Sequence, residues 1–199
     1  MTKITLRGVA AAALVSAAMI GAAPVLAQSM GASHTMHAQA AVTVGGAAMY
    51  PTKTIVENAV NSPIHTTLVA AVKAAGLVET LSGPGPFTVF APTDDAFAKL
   101  PEGTVATLVE PANKATLTRI LNYHVVSGRI TAADLAARIA AGGGKAELTT
   151  VEGGTLTASM QGSGIILTDA KGGVSHITQA DVLQSNGVIH VTDAVSMPG

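Results

Sequence analysis

The sequence predicts an α+β fold, and three observations predict it. Apolar residues at helical spacing dominate the chain up to Gly144, around one compact strand signal at Phe87-Thr88-Val89-Phe90-Ala91. Beyond Gly144 the period switches to two, with Thr155, Thr157 and Ser159 alternating with Leu156, Ala158 and Met160. An Asn-Gly pair at Asn186-Gly187 then joins two strand-like runs, as a tight hairpin with positive φ angles would.

Taken in order, Gln28 to Met49 is rich in Ala, Gly, Ser, Met and His, lacks charge and period, and reads as a flexible spacer over 28–49. The folded domain is expected over 50–199. Leu68, Val69 and Val72 mark a helix within Ile64 to Ala75, stopped by Gly76. Gly83-Pro84-Gly85-Pro86 makes a stiff turn into the strand. Phe87 and Val89 point to one face of that strand and Phe90 to the other, so both faces carry apolar bulk and the strand is expected to be central. Pro92 ends it, Thr93 can cap the next helix, and Asp94 and Asp95 fall in its first turn, where the helix dipole favours negative charge. Phe97 and Leu100 pin that helix to the core. Val105, Leu108 and Val109 mark another helix, and Leu117, Ile120, Leu121 and His124 a further one. Thr131 can cap a helix running through Arg138 to Gly142-Gly143-Gly144. In the strand-rich half, Ile165-Ile166-Leu167 is a buried run. Glu152-Gly153-Gly154, Gln161 to Gly164 and Lys171-Gly172-Gly173 supply the turns.

Composition narrows the chemistry. Of 199 residues, 48% are hydrophobic and 12% charged, enough apolar mass for a packed core. Net charge is −1, so no basic field attracts nucleic acid. With no cysteine there is no disulfide framework, thiol nucleophile or iron–sulfur centre. Lys3 and Arg7 precede the apolar run Val9 to Ile20, and Val25-Leu26-Ala27 offers compact residues before Gln28. That pattern is a secretory signal over 1–27 with cleavage after Ala27, and predicts a secreted or periplasmic chain with no further membrane span.

Three segments resemble the fasciclin I-type domain family, and they occur in its order and spacing. Thr88-Val89-Phe90-Ala91-Pro92-Thr93-Asp94-Asp95-Ala96-Phe97 resembles its first segment, Tyr123-His124 its central motif, and Asn186-Gly187-Val188-Ile189-His190-Val191-Thr192-Asp193-Ala194-Val195 its second segment. The resemblance covers about Met49 to Pro198, although the family commonly carries Asn where this chain has Asp94. It implies a wedge of about seven β-strands flanked by helices. It also implies a non-catalytic role binding a cell-surface or matrix protein, with no cofactor. Thr88, Phe90, Pro92, Thr93, Asp94, Phe97, Asn186, Gly187 and His190 would be the structural motif, and Tyr123 and His124 would inherit the receptor-binding role assigned to that neighbourhood in the family's adhesion proteins. Some algal relatives bind carotenoids, so the resemblance also permits a carrier of an apolar small molecule. A single module gains no avidity from linked copies.

The residues themselves leave few alternatives. His124 shares a stripe with Leu117 and Ile120, so its ring is expected to face inward and to need a partner, for which Thr93 or Asp94 is a candidate. Asp94 and Asp95 as a catalytic pair are disfavoured, since adjacent residues at a helix start diverge. His190 and Thr192 are expected on the open face of a half-exposed strand. Met30 and His34-Thr35-Met36-His37 carry donors that suit copper but lie in the spacer, where ordering entropy opposes a site. No hydrolase elbow, phosphate loop or His-Glu-x-x-His helix is present.

Overall fold

A computed structural model describes residues 41–199. The expected signal over 1–27, the expected spacer as far as residue 40 and the Met30–His37 cluster lie outside the described residues. The spacer reading fails from residue 42 onward: β1 (Val42–Val44) and β2 (Ala47–Met49) pair antiparallel across Gly45-Gly46. Val44 and Met49 are buried, so the hairpin's apolar positions join the core instead of lying in solvent.

A helical half follows: α1 (Ile55–Ala59), α2 (Thr66–Ala75) and α3 (Val78–Ser82), then β3 (Phe87–Pro92), α4 (Asp94–Ala98), α5 (Thr104–Val109) and α6 (Lys114–Tyr123). After β4 (Val125–Ser127), α7 (Ala132–Ala141) is capped by Thr131, whose hydroxyl accepts from Asp134 N while the Asp134 carboxylate accepts from Thr131 N. The strand half holds β5 (Lys145–Thr149), β6 (Thr155–Gln161), β7 (Gly164–Thr168), β8 (Val174–Gln184) and β9 (Gly187–Thr192).

Seven strands form one sheet in the order β4-β3-β9-β8-β7-β6-β5. A bridge between Val126 and Thr150 brings its two edges together, so the sheet nearly closes on itself. The fold is α+β, with a seven-stranded sheet and flanking helices. Next to the β4 edge, the interior strands β3 and β9 run parallel, Phe87 opposite Gly187 through Pro92 opposite Thr192. Alternation across β3 then divides two cores. Val89 and Ala91 face one built with α1, α2, α3 and α6, joined by Phe97, Leu117, Ile189 and Val191. Phe90 faces the other, with Tyr123, Leu135, Ile139, Leu148, Leu156 and Leu167. The three motif segments therefore meet along a wall between two clusters.

Two expectations for the last hairpin need correction. The β8–β9 turn is Ser185-Asn186, with Gln184 opposite Gly187, and neither Asn186 nor Gly187 takes a positive φ. Gly187 is required for close approach, because a Cβ there would overlap the Phe87 carbonyl of the neighbouring strand. Nor is β9 half-exposed: every residue from Gly187 to Thr192 is buried, since β3 and β8 flank it and core lies on both faces.

Candidate functional site

Most polar side chains of the first and last motif segments hydrogen-bond to main chain. Thr88 donates its hydroxyl to Gly128 O (2.7 Å) and accepts from Ile130 N (2.9 Å). Thr93 caps α4, accepting from Ala96 N at 3.3 Å. Asp94 sits in the first turn of α4 but caps a different helix. Its carboxylate accepts from Thr66 N (3.2 Å), Thr66 Oγ1 (2.7 Å) and Thr67 N (2.8 Å) at the start of α2. Burial alone would raise the Asp94 pKa, but those hydrogen bonds outweigh it and hold the carboxyl below its ordinary value. Asn186 Oδ1 accepts from Ile55 N (3.0 Å), and its amide donates to Leu81 O (2.8 Å) and Gly83 O (3.0 Å), tying α1 and α3 to the hairpin. His190 stacks on Phe90 with ring centroids 5.6 Å apart. Its Nε2 donates to Ile130 O (2.8 Å), and its Nδ1 accepts from Asp181 N (3.3 Å).

Tyr123 ends α6 and His124 caps it. The two side chains diverge to hold two neighbouring segments. Tyr123 is fully buried, against a face where Gly154 leaves room: a Cβ there would stand 2.8 Å from the ring. Its hydroxyl donates to Thr155 O (2.6 Å) and accepts from Ala170 N (3.0 Å), and burial raises its pKa. His124 is 3% exposed, so its ring lies beneath the surface. Ile120 O, 2.9 Å from Nδ1, can only accept, and Ser196 N, 3.0 Å from Nε2, can only donate. The ring is therefore neutral with its proton on Nδ1, and burial lowers its pKa. Neither Thr93 nor Asp94 partners it. The link from Tyr123-His124 to the first segment is main chain: Phe90 N donates to His124 O at 2.9 Å.

The surface over this clamp is built by Arg119, Glu152, Gly153, Gly154, Ala170 and Gly199, in an open depression with Tyr123 at its base. Arg119 Nε donates to Glu152 Oε1 at 2.7 Å, and Glu152 Oε2 accepts from Gly154 N at 3.1 Å. Sequence reading missed this pair, because the partners lie 33 positions apart. It also missed Asp169, whose carboxylate accepts from Lys171 N, Gly173 N and Met197 N. The Asp-x-Lys-Gly-Gly string was the available signal for that turn. Asp181, in a bulge of β8 at φ 57°, caps α7 by accepting from Ala132 N at 2.7 Å, and nothing local in the sequence marks it. Among the described residues no three His, Asp or Glu side chains gather as a metal centre would.

A family model described as Fasciclin domain matches residues 63–198. The chain is 48% identical over 155 residues to Protein sll1483 of Synechocystis sp., covering 78% of this chain and 79% of that one. It is 34% identical over 143 residues to the immunogenic protein MPB70 of Mycobacterium bovis, covering 69% of this chain and 65% of the relative. Human periostin is 30% identical over 129 residues, covering 65% of this chain but 14% of periostin. Among solved structures, the FAS1 domain pair of the insect cell adhesion molecule fasciclin I superposes with a TM-score of 0.65 at 19% identity. That match covers 79% of this chain and 57% of that one, and it shows the same fold.

Proposed function

We propose that this chain, which belongs to the fasciclin domain family, is an exported, non-catalytic interaction module that binds a cell-surface or matrix protein. The observation that carries this reading is how the motif side chains are used. Thr88, Asp94, Tyr123, His124, Asn186 and His190 all hydrogen-bond to main chain. No general base or nucleophile is left free among them, and what they leave to present is shaped surface. Tyr123 and His124 act in binding as positioning residues. The contact itself falls to the depression they support, centred on Arg119, which is 57% exposed along its side chain, and Glu152. The fold shared with an insect cell adhesion molecule supports the same class of role.

The test is a cell-aggregation and retention assay with the chain from Gln28. Loss of adhesion in Arg119→Glu, with unchanged thermal unfolding, is expected. Saturating wild-type protein that alters no adhesion and retains no partner would overturn the reading.

One observation favours the carrier alternative. A cleft between α1, α2 and α3 is lined almost entirely by apolar side chains, among them Val56, Leu68, Val69 and Leu81. It encloses about 40 Å³, room on the order of one or two waters, so a lipid-sized ligand must part α1 from α2 to enter. Solvent extracts of the protein from its native source, scanned for visible absorbance and lipid, separate the two readings. A colourless, lipid-free extract removes the carrier.

A further inference from the structure

The segment after β9 lies across the end of α6 and is held by three side chains, two from α6 and its cap and one from the β7–β8 turn. Ser196 N donates to His124 Nε2 at 3.0 Å, Met197 N to Asp169 Oδ2 at 2.8 Å, and Arg119 donates to Gly199 O at 3.2 Å. Ser196 is 3% exposed, and its hydroxyl stands 3.5 Å from that of Ser175. Of these anchors, the His124 contact depends on an empty ring nitrogen.

We infer that the segment Ser196–Gly199 is an acid-released latch, freed when His124 takes a proton on Nε2 while the sheet stays folded. The geometry forces the outcome. Nδ1 already carries its proton toward Ile120 O, so an added proton can go only to Nε2. There it would face the Ser196 N–H across 3.0 Å, two donors with no acceptor between them. Turning the ring gives no escape, because the protonated ring carries N–H on both nitrogens and has no acceptor to offer Ser196 N. The segment can move, since it belongs to no helix or strand and such irregular backbone opens locally at lower cost than a buried strand.

The surrounding charges set the threshold without removing it. Asp169, in the β7–β8 turn, is the acid whose field favours the protonated ring, and burial opposes it. Lys73 on α2 lines the cleft that His124 lines. Arg119 and Glu152 pair with each other beside Tyr123. Neither β3 nor α3 brings a charged side chain to that cleft. His190 offers the contrast. It makes the same two kinds of hydrogen bond, but to Asp181 in β8 and to Ile130 beside α7, so no irregular end segment is there to yield to its protonation.

The test is residue-resolved amide exchange with NMR titration of the His124 ring in the full chain, from pH 7.5 down to 4.5. The latch predicts that protection of the Ser196 and Met197 amides falls at least tenfold, after correction for intrinsic rates, with the midpoint of the His124 titration. The Val188 to Val191 amides should stay protected over that range. His124→Gln places a non-titrating acceptor near the Nε2 position and should hold Ser196 protected at every pH. Ser196→Pro, which lacks the N–H, provides a second reading. It should leave Met197 unprotected already at pH 7.5 and move the His124 titration upward. The inference is overturned if Ser196 stays protected while His124 titrates. It is equally overturned if Ser196 and the β9 amides lose protection together, or if the His124 titration is unmoved in Ser196→Pro.

Discussion

The β3–β9 wall and the outer end of α6 each bury a histidine, and they satisfy it with partners of different mobility. In the wall, His190 lies under Phe90 and joins Ile130 O to Asp181 N, two groups fixed by β8 and by the approach to α7. At the end of α6, His124 joins its own helix at Ile120 O to Ser196 N in the segment that follows β9. Each ring donates through one nitrogen and accepts through the other, so both are neutral. Their surroundings decide the consequence of disturbing them: in the wall it reaches the whole domain, at the end of α6 one segment. The candidate binding surface lies at the yielding end, over Tyr123 and beside that segment.

The most severe way to break the wall is to separate its strands. Gly187→Ala puts a Cβ into the Phe87 carbonyl, and neither strand can retreat, because core lies on both sides. A destabilisation above about 4 kcal/mol, with loss of cooperative unfolding in denaturant, is expected. Unchanged unfolding would show that the parallel ladder can slip.

Acid acts on both regions. Burial lowers the pKa of His124 and His190, and of the buried His65 at the N-terminal cap of α2, so the unfolded chain, whose histidines titrate near about 6.5, binds more protons than the native one. Their contribution is complete above about pH 6.5 and is lost as pH falls from there toward the lowered native values. Each histidine accounts for up to about 1.4 kcal/mol per pH unit in that window. Urea midpoints measured between pH 7.5 and 5 should therefore fall steeply, and a flat profile would contradict the buried neutral assignments.

Replacing the histidines one at a time compares the regions directly. His190→Ala strands two polar groups and undercuts Phe90, for an expected loss of about 3–4 kcal/mol. His124→Ala leaves Ile120 O and Ser196 N able to reach water once the segment lifts, for about 1–3 kcal/mol. Equal losses in the two variants would erase the distinction. Smallest is Asp94→Ala, which removes the α2 cap at about 1 kcal/mol in thermal unfolding.

Local signals made much of this fold readable. The cap at Thr131, the stripe Leu117-Ile120-Leu121 and the two apolar faces of Phe87 to Ala91 each depend on near neighbours, and each stands where the pattern places it. What escaped depends on distant ones. Gly187 looked like turn chemistry because the carbonyl it must accommodate belongs to a strand 100 positions earlier. His190 looked half-exposed because nothing local shows that β3 will pair beside it. Asp94 serves a helix 28 positions before it, and the partner of His124 lies 72 positions after it. The hairpin at Val42–Met49 was passed over because neutral, Ala-rich composition hid a short alternation around Gly45-Gly46. For the site, the motif pair stood out in the sequence, but the partners of its side chains, Thr155, Ala170 and Ser196, lie too far along the chain to be read from it.

Under the proposed function, Tyr123 and His124 position a surface and do not themselves make the contact. Adhesion of cells to immobilised protein, measured beside thermal unfolding for wild type, Arg119→Glu and His124→Gln at pH 7.5, tests it most directly. Adhesion should be lost in Arg119→Glu with its melting temperature unchanged, and kept in a folded His124→Gln. Full adhesion by Arg119→Glu, with none by a folded His124→Gln, would contradict it.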